Sequence, residues 1–266
     1  MPAVTIEELA TIDDYLAVEE LQLSIWNDAR NVASKELMVA VRTSGGLVAG
    51  AREAGRLVGF VLGMPTADPT VQHSRKLGVL PQVRSTGTAA RLKYFQRDWC
   101  LERGVNQVVW TFDPLKGPNV NFNLRKLGAT AHEYFRDHYG PMGGIDAGAP
   151  SDRVLARWDL GSAGPEEDRV DGGRASTAAP GGWANRVEEG EPVAVDLNLA
   201  TPTVCVQIPE DWDETRARSQ VSANRWRVHT REVFEAYYAR GYVSVDFRRG
   251  PNAHVLTRVR PTSAQP

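Results

Sequence analysis

A chain of 266 residues, 42% of them hydrophobic, is long enough to bury a substantial core as one large domain or two modest ones. Lysine and arginine (31) nearly balance aspartate and glutamate (33), and the formal charge of −2 excludes a global attraction to nucleic acid or to an anionic membrane. No run approaches the roughly eighteen apolar residues of a spanning helix, the five histidines form no ligand spacing, and Cys100 and Cys205 read as reduced, buried thiols. The first residues, Met1-Pro2-Ala3-Val4-Thr5-Ile6-Glu7-Glu8, lack the basic and apolar regions of a signal peptide, so a cytoplasmic location is expected and no metal is.

Val4 to Glu7 alternates like a short strand, and Thr11 offers an N-cap for a helix carrying Tyr15, Val18, Leu21 and Ile25 on one face. Ser34 to Val41 holds one or two further helical turns before Gly45-Gly46 forces the chain to turn. Leu47 to Glu53 and Arg56 to Met64 read as strands joined by the tight Ala54-Gly55, a hairpin. Val71 to Leu80 is the next strand; it runs through the turn Arg84-Ser85-Thr86-Gly87-Thr88-Ala89 into a helix with Leu92, Phe95 and Trp99 on one face and Gly104 as its stop. Val105 to Phe112 follows as a strand, and Pro118 opens a helix that buries Val120, Leu124 and Leu127 and stops at Gly128. Ala129 to Phe135 and Val154 to Asp159 are two further strands.

The strand-turn-helix from Val79 to Ala89 carries the chemistry. A cation, hydroxyls and consecutive backbone N–H groups meet at a helix N-terminus, where unpaired donors and the helix dipole favour an anion such as a pyrophosphate. A P-loop requires a lysine directly after its last glycine and a Rossmann turn three glycines in register, and neither occurs here. What remains is Arg84-x-x-Gly87-x-Ala89, preceded by Val79-x-Pro81, and it resembles the pyrophosphate loop of the GNAT superfamily of acyl-CoA-dependent N-acyltransferases. The resemblance spans residues 3 to 160. From Leu77 to Leu160 it is similar to a branch of large GNAT proteins, through Leu77-Gly78-Val79-Leu80-Pro81, Trp110-Thr111-Phe112-Asp113-Pro114-Leu115, Asn121-Phe122-Asn123-Leu124-Arg125-Lys126-Leu127-Gly128, Tyr139-Gly140 and Ser151-Asp152-Arg153.

The resemblance implies an α/β (α+β) fold with a GNAT-like mixed central sheet flanked by helices, and an acyl-CoA co-substrate lying between splayed central strands. It also implies that the backbone at Val79 and Leu80 binds the pantetheine arm and polarises the acyl carbonyl, while Arg84, Ser85, Thr86, Gly87, Thr88 and Ala89 hold the pyrophosphate. Many relatives place a tyrosine, the acid to the departing thiolate, where this chain has Leu124. Asn119 and Asn123 are candidate pantetheine contacts, Asn123 also counted with His73 and Tyr134 as catalytic candidates; Asn121 reads as a cap. His73 has a base's unperturbed pKa, and Tyr134 or Tyr139 could donate a hydrogen bond to an acceptor or pack as buried aromatics. Asp113-Pro114 ends a strand as a turn or a ligand contact, and Ser151-Asp152-Arg153 either binds an acceptor carboxylate through Arg153 or caps and pairs locally.

Gly161 to Gly190 changes to Gly, Ala, Pro, Ser and acidic residues and reads as a linker with little regular structure. The domains expected are therefore 1–160, an acyltransferase domain; 161–192, a linker; and 193–266, a C-terminal unit. That unit reads as strands Val193 to Leu199 and Thr203 to Ile208, a long helix started by Pro209-Glu210-Asp211 and carrying Trp226, Thr230, Val233 and Tyr237, then strands Tyr242 to Phe247 and Ala253 to Val259. Its β-α-β-β order repeats that of residues 105–159, as a degenerate half-GNAT or as an appended element that covers a sheet edge or makes a homodimer contact. Arg216, Arg218, Arg225, Arg227 and Arg231 read as a solvated face, or as a contact with an acidic partner or the cofactor's phosphates. The function expected is transfer of an acyl group, acetyl by default or succinyl to an amino acid, from CoA to the amine of a small molecule. The alternative is a non-catalytic acyl-CoA-binding or regulatory module that interacts through its C-terminal unit.

Overall fold

The computed structural model describes residues 4–140, 150–162 and 181–259. The chain divides into two compact units: the first holds residues 4–110 and 158–162 of those described, the second residues 111–140, 150–157 and 181–259. This division differs from the boundaries at residues 160 and 193 read from composition. Among the described residues no helix is long and apolar enough to cross a membrane.

In the first unit the strands β1 (Val4–Glu8), β2 (Leu47–Glu53), β3 (Arg56–Pro65), β4 (Val71–Val79) and β5 (Gln107–Phe112, of which the first unit takes the part up to Trp110) lie side by side in sequence order. β1 to β4 are antiparallel and β5 is parallel to β4, so the sheet is mixed. Ala54 and Gly55, both in the left-handed region (φ 48 and 81), form the hairpin turn that matches strand twist. Helix α1 (Ile12–Trp26) starts at a capping box between Thr11 and Asp14, and α2 (Lys35–Thr43) starts at Ser34. Gln22 of α1 ties the two together by bonding both the N–H and the carbonyl of Ala33.

One irregularity shapes this unit. β4 pairs with β5 only at Val71, Gln72 and His73, whereas it pairs with β3 all the way to Val79. The register against β3 slips between Lys76 and Ser74, a β-bulge at Arg75. A bulge bends the strand and inverts its alternation. Gln72 and Ser74 bond to residues of α3 (Thr88–Leu101), whereas Lys76 reaches Gln22 of α1 and Gly78 leaves no room for a Cβ beside Trp26.

Under the bulge lies a buried polar network. Lys93 of α3 donates to Ser74 Oγ (3.1 Å) and Gln96 Oε1 (2.7 Å), and its Nζ sits 4.0 Å from the Trp110 ring centroid and 5.4 Å from that of Trp158. It has no ion pair among the described residues, and burial pushes its pKa down to about 7. The expected helix face is thus only partly apolar: Leu92 and Trp99 are buried, Phe95 is half-buried, and Lys93 and Gln96 share the inner side.

In the second unit the order is β7 (Arg153–Asp159, of which the second unit takes the part up to Arg157), β6 (Thr130–Phe135), β11 (Tyr242–Arg248), β12 (Ala253–Arg258) and β10 (Thr203–Gln207), each pair antiparallel. The helix expected from Pro118 begins as α4 (Gly117–Val120), with proline in its first turn, and then widens to a π-helical turn over Asn121–Lys126. Most of the expected linker lies outside the described residues. Its last part is structured, since β8 (Asn185–Glu188) and β9 (Glu191–Val195) form a hairpin, and the strand expected over 193–199 starts earlier and stops at Val195. The single long helix is two, α5 (Trp212–Arg218) and α6 (Gln220–Ala239), because Ser219 leaves helical geometry and caps the second. α6 packs Val233, Phe234 and Tyr237 against Val204, Val206, Tyr242 and Leu256.

Lys93 predicts a pH dependence of stability. With a pKa near 7 folded and 10.5 as the reference, the unfolded chain holds a proton there that the native chain lacks, so stability rises with pH across that interval. Above pH 9 Cys100, pushed up to about 12 chiefly by burial, acts in the opposite sense. Urea unfolding of wild type and Lys93→Met between pH 7 and 9 should show a positive slope that the substitution reduces, the remainder above pH 8 coming from Lys76, which burial lowers to about 8.

Candidate active site

The first unit holds the phosphate-type turn. After β4 a 3-10 turn, Pro81–Val83, leads to Ser85 at φ 71 and Gly87 at φ 84, two left-handed residues separated by Thr86. Positive φ is unusual in serine, and within the turn the N–H groups of Arg84 and Thr86 bond the carbonyls of Pro81 and Val83. Gly87 precedes the first residue of α3 and makes no side-chain cap, so the N–H groups of Thr88, Ala89 and Ala90 face outward without intrahelical acceptors. A Cβ on Gly87 would meet nothing within 4 Å, which leaves the approach to those N–H groups open. Arg84, Ser85, Thr86 and Gly87 are exposed. The hydroxyls of Thr86 and Thr88 bond each other at 2.8 Å, and Thr86 also bonds the Val83 carbonyl, so the turn is braced from inside; Thr88 is buried and serves that bracing.

The strand leading into the turn has an open edge. The Leu80 N–H bonds the Val58 carbonyl at 2.8 Å, which aims the backbone of Leu80 and of Gly78 at β3. By alternation the N–H and carbonyl of Val79 and Leu77 face the other side, where β5 no longer pairs. Of the two residues expected to present backbone groups, Val79 is so placed; Leu80 has given its N–H to β3. His73 lies upstream of the bulge, half-buried, in register with Val109.

Asn119, Asn123 and Tyr134 belong to the second unit. Asn119 is exposed in the first turn of α4, and Asn123 is buried in the π turn, where its carbonyl accepts from Ala129 N–H. Leu124 is fully buried and packs. Tyr134 donates its hydroxyl to Asp152 Oδ2 at 2.7 Å, and burial together with that carboxylate raises its pKa. Its hydroxyl is thus engaged by Asp152 in this structure.

Around it lies an arginine–carboxylate cluster. Asp113, at the end of β5, takes both terminal nitrogens of Arg227 on α6, at 2.9 and 2.8 Å, and accepts the Leu115 N–H as well. Burial works against ionisation of Asp113, but Arg227, then Arg153, hold its pKa below the ordinary value. Asp152 is gripped by Arg231 through Nε and an Nη (2.8 and 2.9 Å), by the Tyr134 hydroxyl and by the Asp137 N–H. Arg227 is 1% exposed, so the arginines of this helix are not one solvated face: Arg227 and Arg231 are internal anchors. Arg227 occupies the stripe of Ala223, Trp226, Thr230 and Val233, and a charge on an apolar stripe is the signal that it has a buried partner. His254, also buried, bonds the Pro114 carbonyl through Nε2, and burial pushes its pKa down to about 4.

No protein-family model matches this chain, and no curated protein sequence matches it. Solved structures do. The ribosomal-protein-S18-alanine N-acetyltransferase from Escherichia coli is 17% identical, with 61% of this chain aligned to 97% of that one at a TM-score of 0.50. An aminoglycoside 6′-acetyltransferase of type Ii is 17% identical over 59% of this chain and 97% of its own, also at 0.50. At that identity the likeness carries the fold, and the fold is that of GNAT N-acyltransferases.

The Asp113–Arg227 pair should behave as a buried ion pair. Asp113→Asn or Arg227→Met alone leaves a charge uncompensated and should cost about 3–5 kcal/mol. The double variant should cost markedly less than the sum, which urea unfolding of the three proteins measures.

Proposed function

We propose that this chain is an acyl-CoA-dependent N-acyltransferase that moves an acyl group, acetyl in the first instance, directly to the amine of a small molecule. The observation that carries the reading is the turn: left-handed Ser85 and Gly87, outward N–H groups at the start of α3, an exposed Arg84, and the open edge of Val79 immediately before them. A phosphate needs convergent N–H donors with room to approach, and a pantetheine amide needs an unpaired strand edge; these residues fit both.

The thioester supplies an activated carbonyl and a leaving group; the chain binds and orients it. In this reading Val79 bonds the acyl-CoA arm through its backbone, and Arg84 with the turn amides holds the diphosphate. His73 takes the proton of the incoming amine, directly or through water. Tyr134 has no part in proton transfer, because its hydroxyl is committed to Asp152. Succinyl transfer to an amino acid is the variant of this reading that titration with succinyl-CoA separates from the acetyl case. Contact with a second copy through the C-terminal segment belongs to the same proposal.

Calorimetric titration with acetyl-CoA, succinyl-CoA and free CoA tests the turn. Arg84→Glu and Gly87→Asp should each weaken binding by about tenfold or more while Arg84→Glu leaves the melting temperature unchanged. Unaltered affinity in the folded variants would remove the basis of the reading. For His73→Ala, thiol release should fall more at neutral than at high pH, where the free amine no longer needs a base; an unchanged pH profile makes His73 structural.

A further inference from the structure

The bulge at Arg75 does more than splay β4. Regular alternation would send Arg75 and Lys76 to opposite faces of the strand; the extra residue breaks that alternation, and the Arg75 charge acts on the Lys76 ammonium. Lys76 is half-buried. Its Nζ donates to Gln22 Oε1 (3.1 Å) and to the Asn31 carbonyl, and it lies 5.0 Å from the ring centroid of Trp26. Both oxygens are neutral, and Gln22 Oε1 already accepts the Ala33 N–H. The carboxylate that acts on Lys76, Asp28, stands beyond ion-pair distance and accepts the Arg30 N–H. Burial, then the Arg75 charge, lowers the Lys76 pKa to about 8. Arg75 is exposed and makes no ion pair among the described residues. Two neighbouring cations, one of them partly desolvated and neither paired with a carboxylate, attract an anion.

Their place on the strand points to the source of that anion. Arg75 lies just past His73, the last residue of β4 that pairs with β5, and just before Leu77 and Val79, whose backbone groups face the open edge. From Val79 back to Arg75 an extended strand covers roughly 13 Å. An arm held by the turn and by the edge at Val79 therefore runs back toward the bulge, and its thioester end arrives near these two cations. Trp26 covers the same stretch from the α1 side: a Cβ on Gly78 would come within 2.8 Å of its ring.

We propose that Arg75 and Lys76 form a carboxylate site at the bulge, so that one of the two reactants carries a carboxyl group, either at the far end of the acyl group or on the acceptor amine. Arg75 supplies the planar fork that takes a carboxylate in two parallel hydrogen bonds, and Lys76 a fixed point charge beside it. The placement near the thioester rests on the acyltransferase reading, whereas the pair of unneutralised cations does not.

The test uses the full chain, and its two arms separate the two sources. In the first, calorimetry compares succinyl-CoA with butyryl-CoA, which has the same chain length without the charge, and with free CoA. In the second, thiol release from acetyl-CoA is followed with the twenty amino acids and with their carboxamides. In one arm the acid should be preferred over its neutral counterpart by about tenfold or more, and Arg75→Gln should remove most of that preference. Free CoA, which brings no carboxylate to the bulge, should bind wild type and Arg75→Gln alike. Lys76→Arg keeps the charge and should keep part of the preference, whereas Lys76→Gln should lose it. Because Arg75 is exposed, Arg75→Gln should melt as wild type does, so its result is readable even where the Lys76 variants are unstable. No preference for the acid in either arm, or a preference unchanged in Arg75→Gln, overturns the proposal. Should free CoA and every acyl-CoA fail to bind, the acyltransferase reading falls, and thermal stabilisation by succinate against succinamide then decides the site: stabilisation lost in Arg75→Gln upholds it, and none in wild type overturns it too.

Discussion

The first unit depends on a strand that cannot stay paired. β4 is held to β3 along its whole length, and the bulge at Arg75 turns it so that β5 is lost after His73. Backbone groups left unpaired at a strand edge are a standing demand for hydrogen bonds, normally covered or blunted. Here the edge at Leu77 and Val79 runs into a turn that leads to the unpaired N–H groups of Thr88, Ala89 and Ala90, so the demand recurs on both sides of the turn. A sheet completed by pairing β4 to β5 throughout would have no such line of donors.

A splayed strand must be held open from below, and the means is polar. Ser74 and Gln72 point at α3 before the bulge and are met by Gln96 and Lys93. Among the described residues Lys93 has no counter-ion; aromatic faces and two oxygens take its place. An apolar residue there would pack more cheaply, but it would not fix α3 to the one segment of β4 whose facing reverses. In the second unit Arg227 and Arg231 act similarly, fixing α6 to Asp113 and Asp152 at the cost of desolvating charges. Paired charges of this kind contribute little net stability compared with apolar substitutes, and their return is in geometry, as the bidentate contacts show.

Much of this was legible in the sequence where local chemistry decides the outcome. Thr11 and Asp14 make their cap, Ala54-Gly55 makes its turn, Gly87 takes the left-handed position required before α3, and the order of strands and helices in residues 4–135 follows the periodicity. The misses have a common cause: each depends on a partner distant in sequence. The bulge at Arg75 exists only against β3. The break at Ser219 splits a helix whose residue pattern runs on, and the π turn at Asn121 widens a helix whose apolar spacing fits 3.6 residues as well. Arg227 looked like surface because Asp113 is 114 positions away. The engagement of the Tyr134 hydroxyl is not visible locally, because nothing near it in sequence shows that Asp152 will accept its hydrogen bond.

Leu124 is where the sequence departs most from its resemblance, and its burial accounts for how the departure is tolerated. At 1% exposure it fills core space, and a tyrosine there would have to find a partner for its hydroxyl or push the π turn outward. Acyl transfer from a thioester does not depend on that hydroxyl for its energetics. A thiol has a pKa of about 8.5, so a thiolate departs near neutral pH with little need of a proton, whereas the attacking amine cannot begin until it has lost one. The step that must be assisted is therefore deprotonation of the amine, and the groups worth keeping are those that hold the acyl-CoA arm and orient the acceptor. On the proposed reading, the groups that hold the acyl-CoA arm are kept at Val79 and at the turn, and the one given up is the one whose contribution thiol chemistry already makes small.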